Sequence, residues 1–388
     1  MLDATRGPAP QLDRAAATAI RDRAAAADRG ERDLRADLEA LSSCGLRLAP
    51  LPSEAGGHGY GCEPHAALDL CDVLRAVGHA SLSVARIFEG HVNAAKLVAL
   101  YGTPAQRERV ATAVRDGAWM GVWGADGVPP ATIEGTGGRA LRRADGNDVL
   151  AGAKRFASGL GLIGIAVVSA ATPDGLQLCV ADVADDDRGD ASTWRVGGMR
   201  ATASGTFDLA GLPAERLGAP DDYLREPHFE GGVWRYCAAH LGGAEALHAE
   251  MVALLVRMKR DADPHQAHRI ARSAAALETA RLWIERAAER VEGDGERADG
   301  PDPQGAAAYA LLAREVTEEA CLTVLHTAER ALGTVAHGMD LAVERIRRDL
   351  GLFLRQANPD GKLARAAATL AARREEADPP RGPLAADL

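Results

Sequence analysis

The sequence has few aromatic residues, no excess of basic charge and no long hydrophobic run. Phe, Trp and Tyr make up 4% of the 388 residues, so alanine and leucine supply most of the 47% apolar fraction, which favours helix. No apolar run approaches the ~18 residues of a membrane span. Because the chain has 55 acidic residues and only 45 basic ones, nucleic-acid binding through a bulk positive field is disfavoured. A small anionic ligand needs only a local Arg or Lys and is not excluded.

Motifs of several common protein classes are also missing. The six cysteines are spread along the chain without a CxxC pair, which predicts free thiols in a reducing compartment. No spacing typical of metal ligands occurs, and no GxGxxG fingerprint stands at a strand-helix junction, which disfavours an NAD-linked dehydrogenase. The N-terminus lacks the apolar core of a signal peptide. We therefore expect a cytoplasmic protein with no metal, membrane or nucleic-acid partner.

Hydrophobic periodicity divides the chain into three regions and a tail. Residues 1–117 show helical spacing, and residues 118–225 show short apolar runs between turn signals. Helical periodicity returns over residues 226–373. The charged, Pro-rich residues 374–388 predict a disordered tail. The length suits two or three domains, and the predicted class is α+β with a β-domain between two helical domains.

Six short segments with recognisable motifs occur in order along the chain. They are LPSEAGGHG at 51–59, YGTPAQR at 101–107, KRFAS at 154–158, GMRATAS at 198–204, DADPHQ at 261–266 and VERIRRD at 343–349. Each is weak alone, because Gly-rich loops and Glu-Arg pairs are common, but the ordered set covers nearly the whole sequence. By these segments the chain resembles the acyl-CoA dehydrogenase superfamily of flavoproteins.

The resemblance implies a fold, a cofactor and an assembly. The fold is an N-terminal α-helical domain, a middle β-barrel-like domain and a C-terminal four-helix bundle. FAD, or reduced FMN or FAD taken up as a co-substrate, is expected between the β-domain and the bundle. A homodimer or homotetramer is expected, with the adenosine end of FAD at a subunit interface. An electron-transfer partner or a flavin reductase would exchange electrons with the flavin.

Three residues of the β-region are expected near the flavin ring. Phe156 stands where the family has a Trp against the ring, and Ser158 stands where a hydroxyl residue lies near flavin N5. Trp123 opens the segment 123–130, which replaces a Thr-Glu-Pro-x-x-Gly-Ser-Asp loop that covers flavin and substrate in the family. This replacement argues against an ordinary thioester pocket.

Four residues of the C-terminal region are candidates for cofactor binding, and the three arginines among them are the candidates for its phosphates. Arg257 and Arg260 lie where the family places an Arg that reaches the pyrophosphate of FAD in a neighbouring subunit, and the guanidinium fork suits phosphate. Gln266 stands where family members present a Gln entering a long helix. Arg330 stands where the family has a Gln that contacts the diphosphate. Plain surface roles remain the alternative for the three arginines.

The catalytic carboxylate of the dehydrogenases is missing from its expected positions. Counting eight residues from Asp349 gives Ala357 where most dehydrogenases have the Glu. The other family position for this base falls at or near Tyr236. Glu230 is the nearest carboxylate there, offset by roughly six residues, and a solvated Glu at a helix N-terminus is its alternative reading.

Two histidines are further candidates for catalysis. His91 lies within a mostly apolar helical segment, in the region that supplies an active-site His in dibenzothiophene-type monooxygenases of the superfamily. His337 lies where dehydrogenases have a Gly-rich turn near the flavin. The alternatives are a core His bonded to backbone for His91 and a loop or helix-end His for His337.

The main prediction is an FAD-dependent oxidoreductase of acyl-CoA dehydrogenase type that acts on an unusual acyl or carrier-bound substrate. The alternative is a monooxygenase that uses reduced flavin and O2, because such members of the superfamily also lack the Glu. A non-catalytic structural homologue is the alternative of another class. A flavin N5 is needed for either reaction, whereas only the dehydrogenase needs a base for the substrate α-proton.

Overall fold

The computed structural model describes residues 8–134, 148–184, 186–293, 302–356 and 358–376. The described residues form a helical region, a region of short strands and a second helical region. Within these ranges, no helix is both long and apolar enough to cross a membrane.

The N-terminal region contains five α-helices within its described residues, 8–117. The last of them starts at a capping box, because Thr103 accepts the backbone N–H of Gln106 while the Gln106 side chain accepts the N–H of Thr103. The helix that precedes it is almost entirely buried and carries one face of the site described below. The helices are α1 Arg14–Asp28, α2 Arg35–Ser43, α3 Ala67–Ala80, α4 Leu82–Tyr101 and α5 Pro104–Arg115.

The described residues of the middle region form nine short strands in two sheets. The larger sheet has the order β3-β2-β5-β6-β9, with β1 parallel to β5, and the smaller sheet has the order β4-β8-β7. The strands are β1 Met120–Trp123, β2 Thr132–Glu134, β3 Val149–Ala151, β4 Ala153–Ala157, β5 Ile165–Thr172, β6 Gly175–Asp182, β7 Gly189–Asp190, β8 Gly205–Asp208 and β9 Glu215–Leu217.

An irregularity in the smaller sheet shapes the site. The pairing of β4 with β8 shifts register between Lys154 and Ala157. Phe156 lies within this shift and has a φ of 54°, a left-handed conformation that is uncommon for a non-glycine residue. A bulge of this kind redirects a side chain away from the regular ladder. Here it leaves the Phe156 ring half exposed, at 52% of its surface.

Five further α-helices are formed by the part of the C-terminal region that the structure describes. The last of them extends to Glu376, so the predicted disordered tail is wrong for residues 374–376, and residues 377–388 lie outside the described ranges. Residues 374–376 are Arg, Glu and Glu, which are good helix formers and continue the Ala-rich run before them, and the charge-based interpretation overlooked this. The helices are α6 Trp234–Arg257, α7 Pro264–Glu292, α8 Pro303–Leu332, α9 Ala342–Phe353 and α10 Pro359–Glu376.

Two of the sequence motifs meet where the β-region packs on α9. A Cβ atom at Gly198 would overlap the carbonyl oxygen of Arg348, so only glycine fits there. The next residue, Met199, donates its backbone N–H to Oδ1 of Asp349 over 2.5 Å. Burial raises the pKa of Asp349 to about 6, although the Met199 N–H and Arg345 oppose the rise. This contact joins the GMRATAS and VERIRRD segments across 150 residues of sequence.

Replacement of Gly242 by alanine is expected to destabilise the protein, whereas the same change at Gly351 is not. A Cβ at Gly242 would overlap the carbonyl oxygen of Arg75 on α3, which cannot move cheaply. We expect a loss of about 1–3 kcal/mol in the free energy of unfolding, as for overpacked cores. Gly351 is also helical but has open space around it, so Gly351→Ala should gain about 0.5–1 kcal/mol. Urea unfolding of both variants measures the difference, and equal effects would contradict the packing argument.

Candidate functional site

A cavity of about 660 Å³ lies between the β-region and helices α4, α6, α9 and α10. This volume is in the range of small-molecule and cofactor sites. One wall comes from β4 and the GMRATAS segment, and a second comes from α4 and the first turn of α6. Leu352 and Phe353 at the end of α9 and Lys362 on α10 close it from the bundle side.

The β-wall carries a chain of hydroxyl groups. Ser204 Oγ lies 2.7 Å from Ser158 Oγ and also 2.7 Å from Thr202 Oγ1. Thr202 Oγ1 in turn lies 2.8 Å from the carbonyl oxygen of Met199. Each hydroxyl has one proton. When Ser204 donates to Ser158, the Ser158 O–H is left to donate into the cavity. Ser204 then accepts from Thr202, and Thr202 gives up its bond to the Met199 carbonyl.

An exposed aromatic surface lies beside this hydroxyl chain. The Phe156 ring faces the cavity and meets Trp194 edge-on, with 5.9 Å between the ring centroids. The guanidinium of Arg155 lies 4.9 Å from the centroid of the Phe156 ring. An apolar ring next to hydroxyl donors and acceptors fits a planar heteroaromatic group that carries hydrogen-bonding atoms at its edge.

Trp123 supports this wall from behind. Its buried indole N–H donates to the carbonyl oxygen of Ser158 over 3.1 Å, and its ring packs 5.0 Å from Phe207. The residues that line the cavity include Phe156 and Ser158 but not Trp123. The structure therefore places Trp123 where it holds Ser158 in position rather than where it can touch a ligand in the cavity.

The α4 wall is unexpectedly polar. Arg86, Glu89, Asn93 and Lys96 all line the cavity, and their spacing of three, four and three residues places them on one face of the helix. Arg86 donates to Glu89 over 2.5 Å, and Asn93 donates to the same carboxylate. This polar face was not singled out from the sequence, although charged residues at helical spacing within an apolar helix were the available signal.

A buried ion cluster joins this face to α6 and α7. The Arg235 guanidinium donates through Nε to Asn93 Oδ1 over 2.5 Å and through Nη1 to Glu292 Oε1 over 2.8 Å. Lys96 donates to the other oxygen of Glu292, and the Trp234 indole N–H donates to Oε1 over 3.1 Å. Burial alone would raise the pKa of Glu292, but Lys96 and Arg235 outweigh burial and lower it.

His91 lies on the opposite face of α4 from the cavity. It is fully buried, its Nε2 lies 2.8 Å from the carbonyl oxygen of Arg47, and its Nδ1 accepts the backbone N–H of Met120 over 3.1 Å. These bonds fix a neutral imidazole protonated on Nε2. Burial lowers the pKa of His91 to about 4. The structure thus gives His91 the core role that was its alternative, with no path to a ligand in the cavity.

Tyr236 does line the cavity. It lies in the first turn of α6, and its hydroxyl makes no hydrogen bond to any described residue. Burial raises its pKa, which the nearby Arg314 partly offsets. A buried phenol without a partner is costly, so the hydroxyl is available to a ligand.

His228 is a cavity residue that the sequence analysis missed. It lies in the loop before α6, and its buried Nδ1 has no hydrogen-bond partner among the described residues. Burial lowers the pKa of His228 to about 4, helped by the positive charges of Lys96 and Arg235. It therefore offers a neutral imidazole to the cavity. The pattern around it, PHFEGG, gave no helical or strand periodicity that would have pointed inward.

The four cofactor candidates of the C-terminal region lie away from the cavity. Tyr236 and Arg257 are at opposite ends of α6, 21 residues and about 30 Å apart at 1.5 Å per residue. Arg257, Arg260 and Arg330 are exposed. Gln266 is buried at the start of α7, with its Oε1 lacking a partner among the described residues. None of the four lines the cavity of this chain.

The remaining candidates are not brought to the cavity either. His337 is exposed at the end of a short 3-10 helix after α8. Glu230 is buried, but its carboxylate is held by Lys362 and Arg365. Ala357 lies outside the described residues. Among the described residues that line the cavity, Glu89 is the only carboxylate, and Arg86 and Asn93 hold it.

Comparison with known proteins gives this geometry a family context. Residues 10–118 match the family described as acyl-CoA dehydrogenase, N-terminal domain. A dibenzothiophene monooxygenase of Rhodococcus erythropolis is 30% identical over 227 residues, which are 54% of this chain and 49% of that protein. The match thus spans about half the length of that relative.

Solved structures extend the likeness to nearly the whole chain. The dibenzothiophene monooxygenase TdsC of Paenibacillus sp. A11-2 superposes with a TM-score of 0.77 at 21% identity, over 93% of this chain and 96% of its own. TdsC has also been solved with FMN bound. The methanesulfinate monooxygenase MsuC of Pseudomonas fluorescens gives a TM-score of 0.76 at 20% identity, over 93% and 96%. The predicted acyl-CoA dehydrogenase-like fold is therefore confirmed.

Proposed function

We propose that this protein is a flavin-dependent monooxygenase that oxidises a small molecule with O2 and reduced FMN or FAD. The observation that carries the proposal is the wall of Phe156 and the Ser158 hydroxyl chain, within a fold shared with proteins named as monooxygenases. Reduced flavin supplies two electrons, one oxygen atom enters the substrate, and the other leaves as water. The alternative of the sequence analysis is thus favoured over the main dehydrogenase prediction.

The state of Glu89 argues against the dehydrogenase. Removal of an α-proton needs a carboxylate or similar base directed at the substrate. Glu89 is paired with Arg86 and accepts a bond from Asn93, so proton uptake would break an ion pair in a buried wall. The proposed monooxygenase reaction does not require this base.

The residues of the cavity would divide the work between the flavin and the substrate. Phe156 would pack against the flavin ring, and the hydroxyl chain that ends at Ser158 would donate a hydrogen bond at its edge. Trp123 would hold Ser158 in place through its carbonyl oxygen. Tyr236 and Phe353 would enclose the reacting part of the substrate and exclude water, which limits the wasteful reduction of O2 to hydrogen peroxide.

The exposed arginines would act in an assembly. We place Arg257, Arg260 and Arg330 at a subunit interface of a homo-oligomer, where their side chains would reach the phosphate of a neighbour's flavin. Their exposure in the single chain agrees with this role. A flavin reductase is the partner that the reaction requires.

Oxygen incorporation tests the proposed function. Protein loaded with FMN and reduced anaerobically is mixed with ¹⁸O2 and candidate small molecules, and products are analysed by mass spectrometry. We expect one labelled oxygen atom per product molecule. Ser158→Ala should shift the ratio of oxygenated product to hydrogen peroxide about fivefold toward peroxide, because one hydrogen bond is worth on the order of 1 kcal/mol.

Ser43→Ala is the matched control, because Ser43 is an exposed serine on α2. It should leave the product ratio unchanged. Rapid anaerobic bleaching of oxidised flavin by saturated acyl-CoAs would instead establish the dehydrogenase. Failure to bind any flavin would establish a non-catalytic homologue.

A further inference from the structure

We propose that the end of the cavity between α4 and α6 binds an acidic group of the substrate, with Arg235 and Lys96 as its anchors. The substrate class is then an organic acid, a monoanion such as a carboxylate, with an apolar body. This inference names the substrate of the site and therefore rests on the proposed function. It is carried by the charge, the free donors and the surroundings of the buried ion cluster.

The charge of the cluster is unbalanced. Arg86 and Glu89 form a neutral pair. Lys96 and Arg235 share the single carboxylate of Glu292, and all three side chains are almost fully buried. One positive charge is left over beside the cavity, and a buried uncompensated charge is costly. A monoanion in the cavity would cancel it, whereas the neighbouring histidine is neutral and cannot.

Arg235 and Lys96 also keep hydrogen-bond donors that are free to bind an anion in the cavity. Two nitrogens of Arg235 are engaged by Asn93 and Glu292, and Nη2 makes no hydrogen bond to a described residue. Lys96 uses one of its three protons, toward Glu292. Both residues line the cavity. The engaged nitrogens fix the guanidinium, so Nη2 is held ready for a ligand without further loss of side-chain entropy.

Gly232 makes room for this arrangement. It lines the cavity at the short 3-10 turn before α6, and a Cβ atom there would overlap Nη2 of Arg235. An alanine at this position would displace the guanidinium while leaving its charge in the protein. The apolar body of the acid would lie against Tyr223 and Phe229, whose ring centroids are 4.9 Å apart and which also line the cavity.

A second ion cluster at the cavity provides an internal comparison. Lys362 lines the cavity and shares Glu230 with Arg365. The Glu226 carboxylate, which accepts the backbone N–H groups of Glu230 and Gly231, lies next to it. Two cations thus face two carboxylates, and this cluster has no charge left for a ligand.

A flavin phosphate is the other source of an anion. The left-over charge of the first cluster is one, which matches a carboxylate better than a phosphate dianion. The cluster also lies on the helical wall, whereas the surface that suits a flavin ring is the β-wall. We therefore assign the cluster to the substrate, and the experiment separates the two.

The test compares benzoate with its neutral isostere benzamide by isothermal titration of the full-length protein, with and without FMN. We expect benzoate to bind about tenfold or more tightly than benzamide, as for a charge-assisted pair. Arg235→Met should bring the ratio of the benzoate affinity to the benzamide affinity close to one. This change leaves the Lys96–Glu292 pair intact, so the fold is retained. Gly232→Ala should also reduce this ratio, and Lys362→Met should not.

The outcomes are distinct. Equal binding of benzoate and benzamide by the wild type, or a preference that survives Arg235→Met, would overturn the inference. If the cluster holds the flavin phosphate instead, benzoate will compete with FMN, and Arg235→Met will weaken FMN but not riboflavin. Acid binding without ¹⁸O incorporation would leave this inference standing and remove the proposed function. Oxygenation of neutral molecules with no preference for acids would support the proposed function and overturn this inference.

Discussion

Protonation of two buried histidines, partly offset by one buried aspartate, is expected to remove about 3 kcal/mol from the free energy of unfolding between pH 7 and pH 5. His91 and His240 are fully buried, and burial lowers their pKa to about 4 and about 3. A His with a depressed folded-state pKa stabilises the fold above its unfolded pKa of about 6.5, and that stability falls as the pH drops toward the folded value. At pH 5 each of the two costs about 2 kcal/mol. Asp349 acts in the opposite direction and returns about 1 kcal/mol, because its folded pKa is raised.

His240→Phe isolates the effect of one histidine. The His240 ring packs 4.4 Å from Phe353 and 5.3 Å from Tyr236, and its buried Nε2 has no partner among the described residues. Phenylalanine keeps the ring contacts and removes the titrating group. The variant should match or exceed the wild type at pH 7 and lose about 2 kcal/mol less by pH 5.

Urea unfolding at several pH values, followed by tryptophan fluorescence, measures this loss of unfolding free energy between pH 7 and pH 5. His326→Gln changes an exposed histidine on α8 and should leave the pH dependence of the unfolding free energy unchanged. If His240→Phe and the wild type lose stability in parallel, protonation of buried histidines is not the cause of acid lability.

The fold could be predicted because its markers are local. Thr103 and Gln106 form the capping box that starts α5, and the GMRATAS and VERIRRD segments each have a recognisable sequence. The end of the last helix, residues 374–376, was assigned to the tail because Arg and Glu are common to disordered tails and to exposed helices. The contact of Gly198 with Arg348 explains why two distant motifs occur together.

The site was only partly predictable because its decisive contacts are long-range. Phe156, Ser158 and Tyr236 line the cavity, and all three were candidates from short segments. His91 was chosen because it is a histidine in an apolar helix, yet residues two positions before it and after it face the cavity instead. Asn93 on this face is bonded to Arg235, and Arg235 and Lys96 both bond to Glu292. Glu292 lies 196 residues beyond Lys96 in the sequence. Local periodicity cannot reveal that a buried lysine has a counter-charge at the far end of another helix.

Glu292→Gln should destabilise the protein by about 3–5 kcal/mol, because it leaves Lys96 and Arg235 buried without a counter-charge. The amide oxygen of glutamine can still accept the Trp234 indole N–H, so packing and that hydrogen bond are largely kept. Glu289→Gln, one turn earlier on α7, removes an exposed partner of Arg286 and should cost less than about 1 kcal/mol. Urea unfolding at pH 7 compares the two variants.

A second substitution shows whether charge is the cause of the loss. Lys96→Met in the Glu292→Gln background restores the net charge of the cluster to one, so it should recover part of the stability. We expect a coupling of more than about 1 kcal/mol between the two changes, as for residues in one network. Burial lowers the pKa of the Lys96 ammonium against the attraction of Glu292. If Glu292→Gln costs less than about 1 kcal/mol, Lys96 must give up its proton in the variant, and the cluster then holds only the positive charge of Arg235.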